Sequence, residues 1–163
     1  MPSRIPQAAL IPVIGLSLVI AAWWIFVAEP AATAEEVGAG AAVVVEVIDG
    51  DTVVVDLDGQ EQHVRLIGID TPEREECGYD EATGALAGLV EGRAVSLVSG
   101  AQSDTDVYGR LLRYVEIDGK DAGFELIAQG FAVARYDSRT DQAHPREQDY
   151  WDADAVSEQI CMS

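Results

Sequence analysis

From residue 42 onward, short runs rich in β-branched residues alternate with tight polar turns. Valines dominate 42–48 and 52–57, apolar positions continue through 62–69, and the breaks between them are Asp49-Gly50-Asp51 and Asp58-Gly59. An Asp-Gly pair between such runs favours a two-residue hairpin, so these three segments predict an antiparallel meander. Residues 80–90 place alanine and leucine at helical spacing, with Gly84 and Gly88 weakening the helix. Residues 94–98 and 111–117 read as a fourth and a fifth strand. Asp118-Gly119-Lys120 turns the chain into a short helix over 122–129 closed by Gly130, and 131–136 reads as extended. A last helix is predicted over 145–161, where Pro145 suits the first turn and Ala153, Val156 and Ile160 share a face. The result is a mainly β domain with α: a small five-stranded barrel with three helices around it.

The N-terminal pattern is different. Arg4 precedes an apolar run over 8–28 that only Pro12, Gly15 and Ser17 interrupt, long enough to cross a bilayer as a hydrophobic helix. Ala32-Thr33-Ala34 offers a small-x-small cleavage site before Glu35-Glu36, so residues 1–28 are a signal peptide or a retained membrane anchor, two readings the sequence leaves open. In both, a positive charge before the run and acids after it put the remainder outside the cytoplasm, either secreted or held at the outer face of the membrane. Residues 29–41, mostly Ala, Gly and Glu, form a linker, and 42–163 form the folded domain. A chain of 163 residues has room for one such core and not for two.

Charge changes the picture. The chain carries 29 acidic residues against 10 basic ones, a formal charge of -19, and Lys120 is its single lysine. A polyanion gains affinity when Lys and Arg replace its condensed counterions, which are released to solution, so this balance argues against nucleic acid unless salt screens the repulsion. The acids are scattered, with no acidic block, as on a solvated surface adapted to concentrated salt.

The candidate chemistry lies in three short stretches. Arg65-Leu66-Ile67-Gly68-Ile69-Asp70-Thr71-Pro72-Glu73 is an apolar run that opens on a guanidinium and ends on two carboxylates. Upstream is Asp49-Gly50-Asp51-Thr52, and downstream Asp106-Val107-Tyr108-Gly109-Arg110. Charges on apolar strands are costly unless each meets a partner, a metal or a charged substrate. Asp51, Asp70 and Thr71 offer oxygen-only ligands for a hard cation such as calcium, with Glu73 acting through water. His63 and His144 stand alone and read as surface residues, giving no zinc site. Two arginines beside a cation suit a phosphate, whose oxygens guanidinium forks grip in pairs. Arg65 and Asp70 are five apart, so an unbroken strand would point them to opposite faces. The strand must bulge or end between them, and Gly68 is the candidate.

These blocks, in this order and spacing, resemble those of the staphylococcal-nuclease-like, or thermonuclease, family. The resemblance runs from about Val43 to Cys161. It implies an OB-like five-stranded barrel with three helices, and calcium-dependent cleavage of DNA or RNA that leaves 3'-phosphate ends. Carried over position by position, Asp51, Asp70 and Thr71 would hold Ca2+ with Asp49 in support. Glu73 would orient or deprotonate water, and Arg65 and Arg110 would clamp the phosphate. Tyr108 and Tyr136 match nucleotide-contacting positions, with packing as their competing role, while Asp49 competes as a plain turn residue. Arg113 and Arg135 read as surface charges. Arg74-Glu75-Glu76-Cys77 is shorter and more acidic than the matching loop of the staphylococcal enzyme, and Val107 replaces a lysine, so weaker substrate binding is expected. Cys77 and Cys161 are the only cysteines, and export favours a disulfide between them. A nucleic-acid phosphodiesterase is therefore the leading function. The alternative is a surface binding module of the OB type without catalysis.

Overall fold

The structure, a computed structural model, describes residues 42–161; the hydrophobic helix expected over 1–28 and the linker that follows it lie outside the described residues. Strands β1 (Ala42–Asp49), β2 (Thr52–Leu57) and β3 (Gln60–Leu66) form the expected meander. β5 (Ala94–Val98) pairs with β1, and β6 (Leu111–Ile117) pairs antiparallel with β5. The first half of β6 also runs parallel to β3, setting Val64 opposite Leu111 and Arg65 opposite Leu112. That contact closes the ring, giving the five-stranded OB-like barrel, and it lays Arg65 two residues from Arg110 across the seam.

Three helices cover the barrel, as expected. In α1 (Tyr79–Val90) the buried residues Ala82, Leu86 and Val90 recur every fourth position and face β1. α2 (Ala122–Ala128) is capped by Asp121, whose carboxylate accepts from the Gly123 and Phe124 amides at 2.9 and 3.3 Å. α3 (Glu147–Asp154) packs on α2. No helix among the described residues is long and apolar enough to cross a membrane.

Three expectations need correction. The strand predicted over 62–69 ends at Leu66 and breaks at Ile67-Gly68, where Gly68, the residue named for that break, takes a φ of 79°. The two residues beyond, β4 (Ile69–Asp70), pair instead with β7 (Val133–Ala134), all that is strand in the stretch read as extended. The C-terminal helix is half its predicted length. Asp154 ends it by turning its carboxylate to the Ala134 amide and the Gln159 side chain, and the segment beyond is drawn back so that the Ile160 amide reaches the Gly130 carbonyl and Cys161 joins Cys77 in a disulfide. Val156 is consequently 84% exposed rather than on a buried face.

The third concerns His144, which is buried, whereas His63 is exposed as read. Its Nδ1 lies 2.8 Å from the Tyr114 hydroxyl, its ring meets Tyr150 edge-on, and its Nε2 has no partner among the described residues. A Cβ on Gly68 would stand 2.4 Å from that Nε2, so only glycine fits beneath the ring. Burial holds the His144 pKa below its usual 6.5, against the opposing pull of the Glu147, Asp137 and Asp121 carboxylates and in concert with Arg146. The imidazole is thus neutral in the fold, and the unfolded chain binds its proton first. Its stabilising contribution is complete above the unfolded value near 6.5 and is lost as pH falls towards the folded one. An NMR titration of the His144 ring should therefore be centred below 6.5. A ring titrating above 6.5 would contradict this.

Candidate active site

The site begins at the turn between β1 and β2. The Asp51 amide donates to Asp49 Oδ1 at 3.1 Å, which folds Asp49-Gly50-Asp51 into an Asx turn. A Cβ on Gly50 would come within 2.8 Å of Thr71 Oγ1 and 2.9 Å of the Ala82 side chain, so the turn is seated against the 70–73 loop and α1. This close approach buries Asp51. Its Oδ2 accepts from Thr71 Oγ1 at 3.2 Å and pairs with Arg65 Nη2 at 2.8 Å, while Oδ1 accepts from Thr52 Oγ1 at 3.0 Å.

Arg65 is opposite Thr52 in the β2–β3 register. Its guanidinium donates to the Leu66 and Ile69 carbonyls at 2.8 and 2.9 Å, and Nη2 stands 3.8 Å from Asp70 Oδ1. The break at Gly68 therefore does what strand parity requires: it bends the chain so that Arg65 reaches both Asp51 and Asp70. Arg135, read as a surface charge and largely exposed, stands with Nε 3.9 Å from the other Asp70 oxygen. Burial pushes the Asp51 carboxyl up to about 6; the Arg65 charge opposes this, and the Asp49 charge reinforces it.

Arg110 arrives from the other side. Asp106 accepts from the Tyr108 and Arg110 amides at 2.9 and 3.0 Å and from Arg110 Nε at 2.7 Å. Partial burial raises the Asp106 pKa, but those Arg110 and Tyr108 bonds outweigh it and hold the carboxyl below its ordinary value. With Nε anchored, Arg110 Nη1 reaches Thr52 Oγ1 at 3.2 Å. Arg65, Asp51, Thr52 and Arg110 are thus one continuous chain of contacts drawn from three separate stretches.

Both arginines line a cleft of about 640 Å³, together with Tyr108 and Tyr136. Tyr108 is 81% exposed and Tyr136 38%, so neither is a packing aromatic; the Arg110 guanidinium stands 5.5 Å from the Tyr108 ring centre and that of Arg65 5.6 Å from Tyr136. Glu73 is not gathered into this constellation. It is exposed, its main chain pairs with Glu76, and its carboxylate takes no hydrogen bond or ion pair among the described residues. Arg113 pairs with Asp104.

Thr52 and Asp106 are members that the sequence reading passed over. Asp106 carries a signal, the four-residue spacing to Arg110; Thr52 carries none beyond its neighbour.

Among the described residues no three His, Cys, Asp or Glu side chains are grouped to hold a metal. Asp51 and Asp70 nevertheless converge on a single nitrogen of Arg65. Two carboxylates and a threonine, oxygen donors only, fit a hard cation that takes its remaining ligands from water.

Residues 63–162 match the family model described as staphylococcal nuclease homologue. The chain is 34% identical over 118 residues to a thermonuclease of Staphylococcus hyicus, covering 64% of this chain and 69% of that one. It is 47% identical over 75 residues to protein ParB of Escherichia coli, 46% of this chain and 41% of the relative. With endonuclease YncB of Bacillus subtilis (strain 168) it shares 34% identity over 95 residues, 55% of this chain and 45% of the relative. The chain thus spans less than half of the latter two. The matched residues include Arg65, Arg110 and the paired residues of the β3–β6 seam, and on that match the chain belongs to the staphylococcal nuclease homologue family.

Proposed function

We propose that this domain is a calcium-dependent nuclease, a hydrolase that cuts phosphodiester bonds in DNA or RNA and leaves 3'-phosphate ends. The observation that carries the reading is the Arg65–Asp51–Thr52–Arg110 chain, two guanidinium groups held on one network at the wall of one cleft. Preorganised cations of this kind stabilise the charge that grows on a phosphate as it is attacked. Arg65 and Arg110 bind and orient the scissile phosphate, and Tyr108 and Tyr136 take the flanking nucleotide, where each stacked base contributes about 1–3 kcal/mol. Asp51, Asp70 and Thr71, with Asp49 behind Asp51, hold Ca2+, which supplies further neutralisation of the phosphate. Glu73, whose carboxylate takes no hydrogen bond or ion pair among the described residues, takes the proton of the attacking water. The new P–O bond forms in line with the departing 5'-oxygen, which leaves as an alcohol on gaining a proton.

The disulfide supports an exported protein, since such bonds persist in oxidising compartments. Residues 1–28 would be its signal or its anchor, and the charge of -19 would suit work in concentrated salt.

The test is cleavage of single- and double-stranded substrates, from dilute buffer to molar NaCl, with calcium or with chelator. We expect calcium-dependent cleavage that rises with salt, and loss of about 10²–10⁴-fold in Glu73→Ala, the usual worth of a positioned base. Absence of calcium-dependent cleavage at every salt concentration would leave the binding module.

A further inference from the structure

Tyr136 is a bulky residue at a φ of 55°, in the left-handed region that a Cβ disfavours, and it stands at the cleft wall over Arg65. Strain of this kind persists only where surrounding contacts impose it. The contacts are those of the next residue. Asp137 is 1% exposed, and its carboxylate accepts from the Arg139 amide at 2.9 Å, from Arg139 Nε at 3.0 Å, from Arg139 Nη2, and from Trp151 Nε1 at 2.7 Å. Its carbonyl accepts from the Thr140 and Gln142 amides at 2.8 and 2.9 Å.

The same guanidinium reaches back across Tyr136. Arg139 Nη2 donates to the Ala134 carbonyl at 3.0 Å, and the group lies 4.9 Å from the Trp151 ring centre. Arg135 is fixed as well, its amide donating to the Gly68 carbonyl at 2.9 Å. Backbone on both sides of Tyr136 is therefore tied down. Gln142, held through the Asp137 carbonyl, lines the same cleft together with its neighbour Asp141, whereas Asp137 itself does not. Its carboxylate is committed inward to the knot and has no part in the phosphate chemistry.

We propose that Asp137 is a positioning residue for substrate: its buried knot with Arg139 and Trp151 holds Tyr136 in its left-handed conformation and so shapes the cleft that Tyr136 lines together with Tyr108 and Arg110. This rests on the reading that Tyr136 meets the nucleotide. The side-chain hydrogen bonds from Arg139, first among the causes that hold the Asp137 carboxyl far below its usual range, keep the knot charged at every pH at which the protein would work.

The experiment uses the whole chain in molar NaCl. The dissociation constant of a fluorescein-labelled single-stranded oligonucleotide is measured with chelator, so that no cleavage intervenes, alongside kcat at saturating substrate with calcium. We expect Asp137→Asn to weaken binding by about 10-fold with kcat within twofold of wild type, Tyr136→Ala to weaken it similarly, and the double variant to be no weaker than Tyr136→Ala alone. Equal weakening by Asp137→Asn in both backgrounds, or a lowered thermal midpoint with binding intact, overturns the positioning role. Unchanged binding in Tyr136→Ala overturns instead the reading of Tyr136 on which it rests. Should Asp137→Asn fail to fold, Trp151→Phe removes one donor from the knot and is expected to weaken binding by about threefold, again only when Tyr136 is present.

Discussion

Arg110→Ala is expected to lower kcat by about 10²–10³-fold, the loss usual for one preorganised donor to a developing charge, with little change in thermal midpoint. The separation follows from where Arg110 is tied. Its loop is closed by Asp106 through the Tyr108 and Arg110 amides, bonds that an alanine retains, and the side chain is part exposed rather than core. Arg110→Lys should fare little better, because a single ammonium cannot hold Asp106 through one nitrogen and present two more towards Thr52 and the cleft. Steady-state kinetics at saturating substrate and a melting curve decide the matter. Retained kcat, or a midpoint that drops with it, would make Arg110 a structural residue.

Arg65→Ala should abolish detectable cleavage and also destabilise the fold. Both members of the Arg65–Asp51 pair are about nine-tenths buried, so removing the guanidinium leaves Asp51 without its nearest positive charge. Breaking a buried pair costs about 3–5 kcal/mol. Asp51, already pushed up to about 6, can escape part of that penalty by taking a proton, so we expect about 2–3 kcal/mol near pH 7. Urea unfolding with chelator measures it. Adding Asp51→Asn to Arg65→Ala should restore much of the stability and none of the activity. No recovery in that double variant would mean that the pair is not the source of the loss.

The strands were legible because their signals are local. The runs 52–57, 94–98 and 111–117 are bounded by glycine and charge, and they form as read. The C-terminal helix was not legible past residue 154, because what ends it is tertiary: the Asp154 carboxylate on the Ala134 amide and the disulfide to Cys77 act across the fold. The Gly68 break followed from the need for Arg65 and Asp70 to share a site; the burial of His144 against that glycine did not, since nothing near His144 in the chain announces Tyr114 or Tyr150. In the site, charged residues on three stretches could be read directly. Asp137 could not, because an aspartate after a tyrosine looks like any loop acid until Trp151 and Arg139 are folded onto it.

The pairing of each arginine with a resident carboxylate, Arg65 with Asp51 and Arg110 with Asp106, bears on how a polyanion would be received. A phosphate arriving there meets no bare cation wearing loosely held chloride; it joins a guanidinium that a carboxylate of the protein already partly neutralises and continues to hold. Fewer small ions are then set free than the number of arginines engaged implies, so dilution of the medium gives such a surface little of the extra grip that it lends an ordinary basic groove.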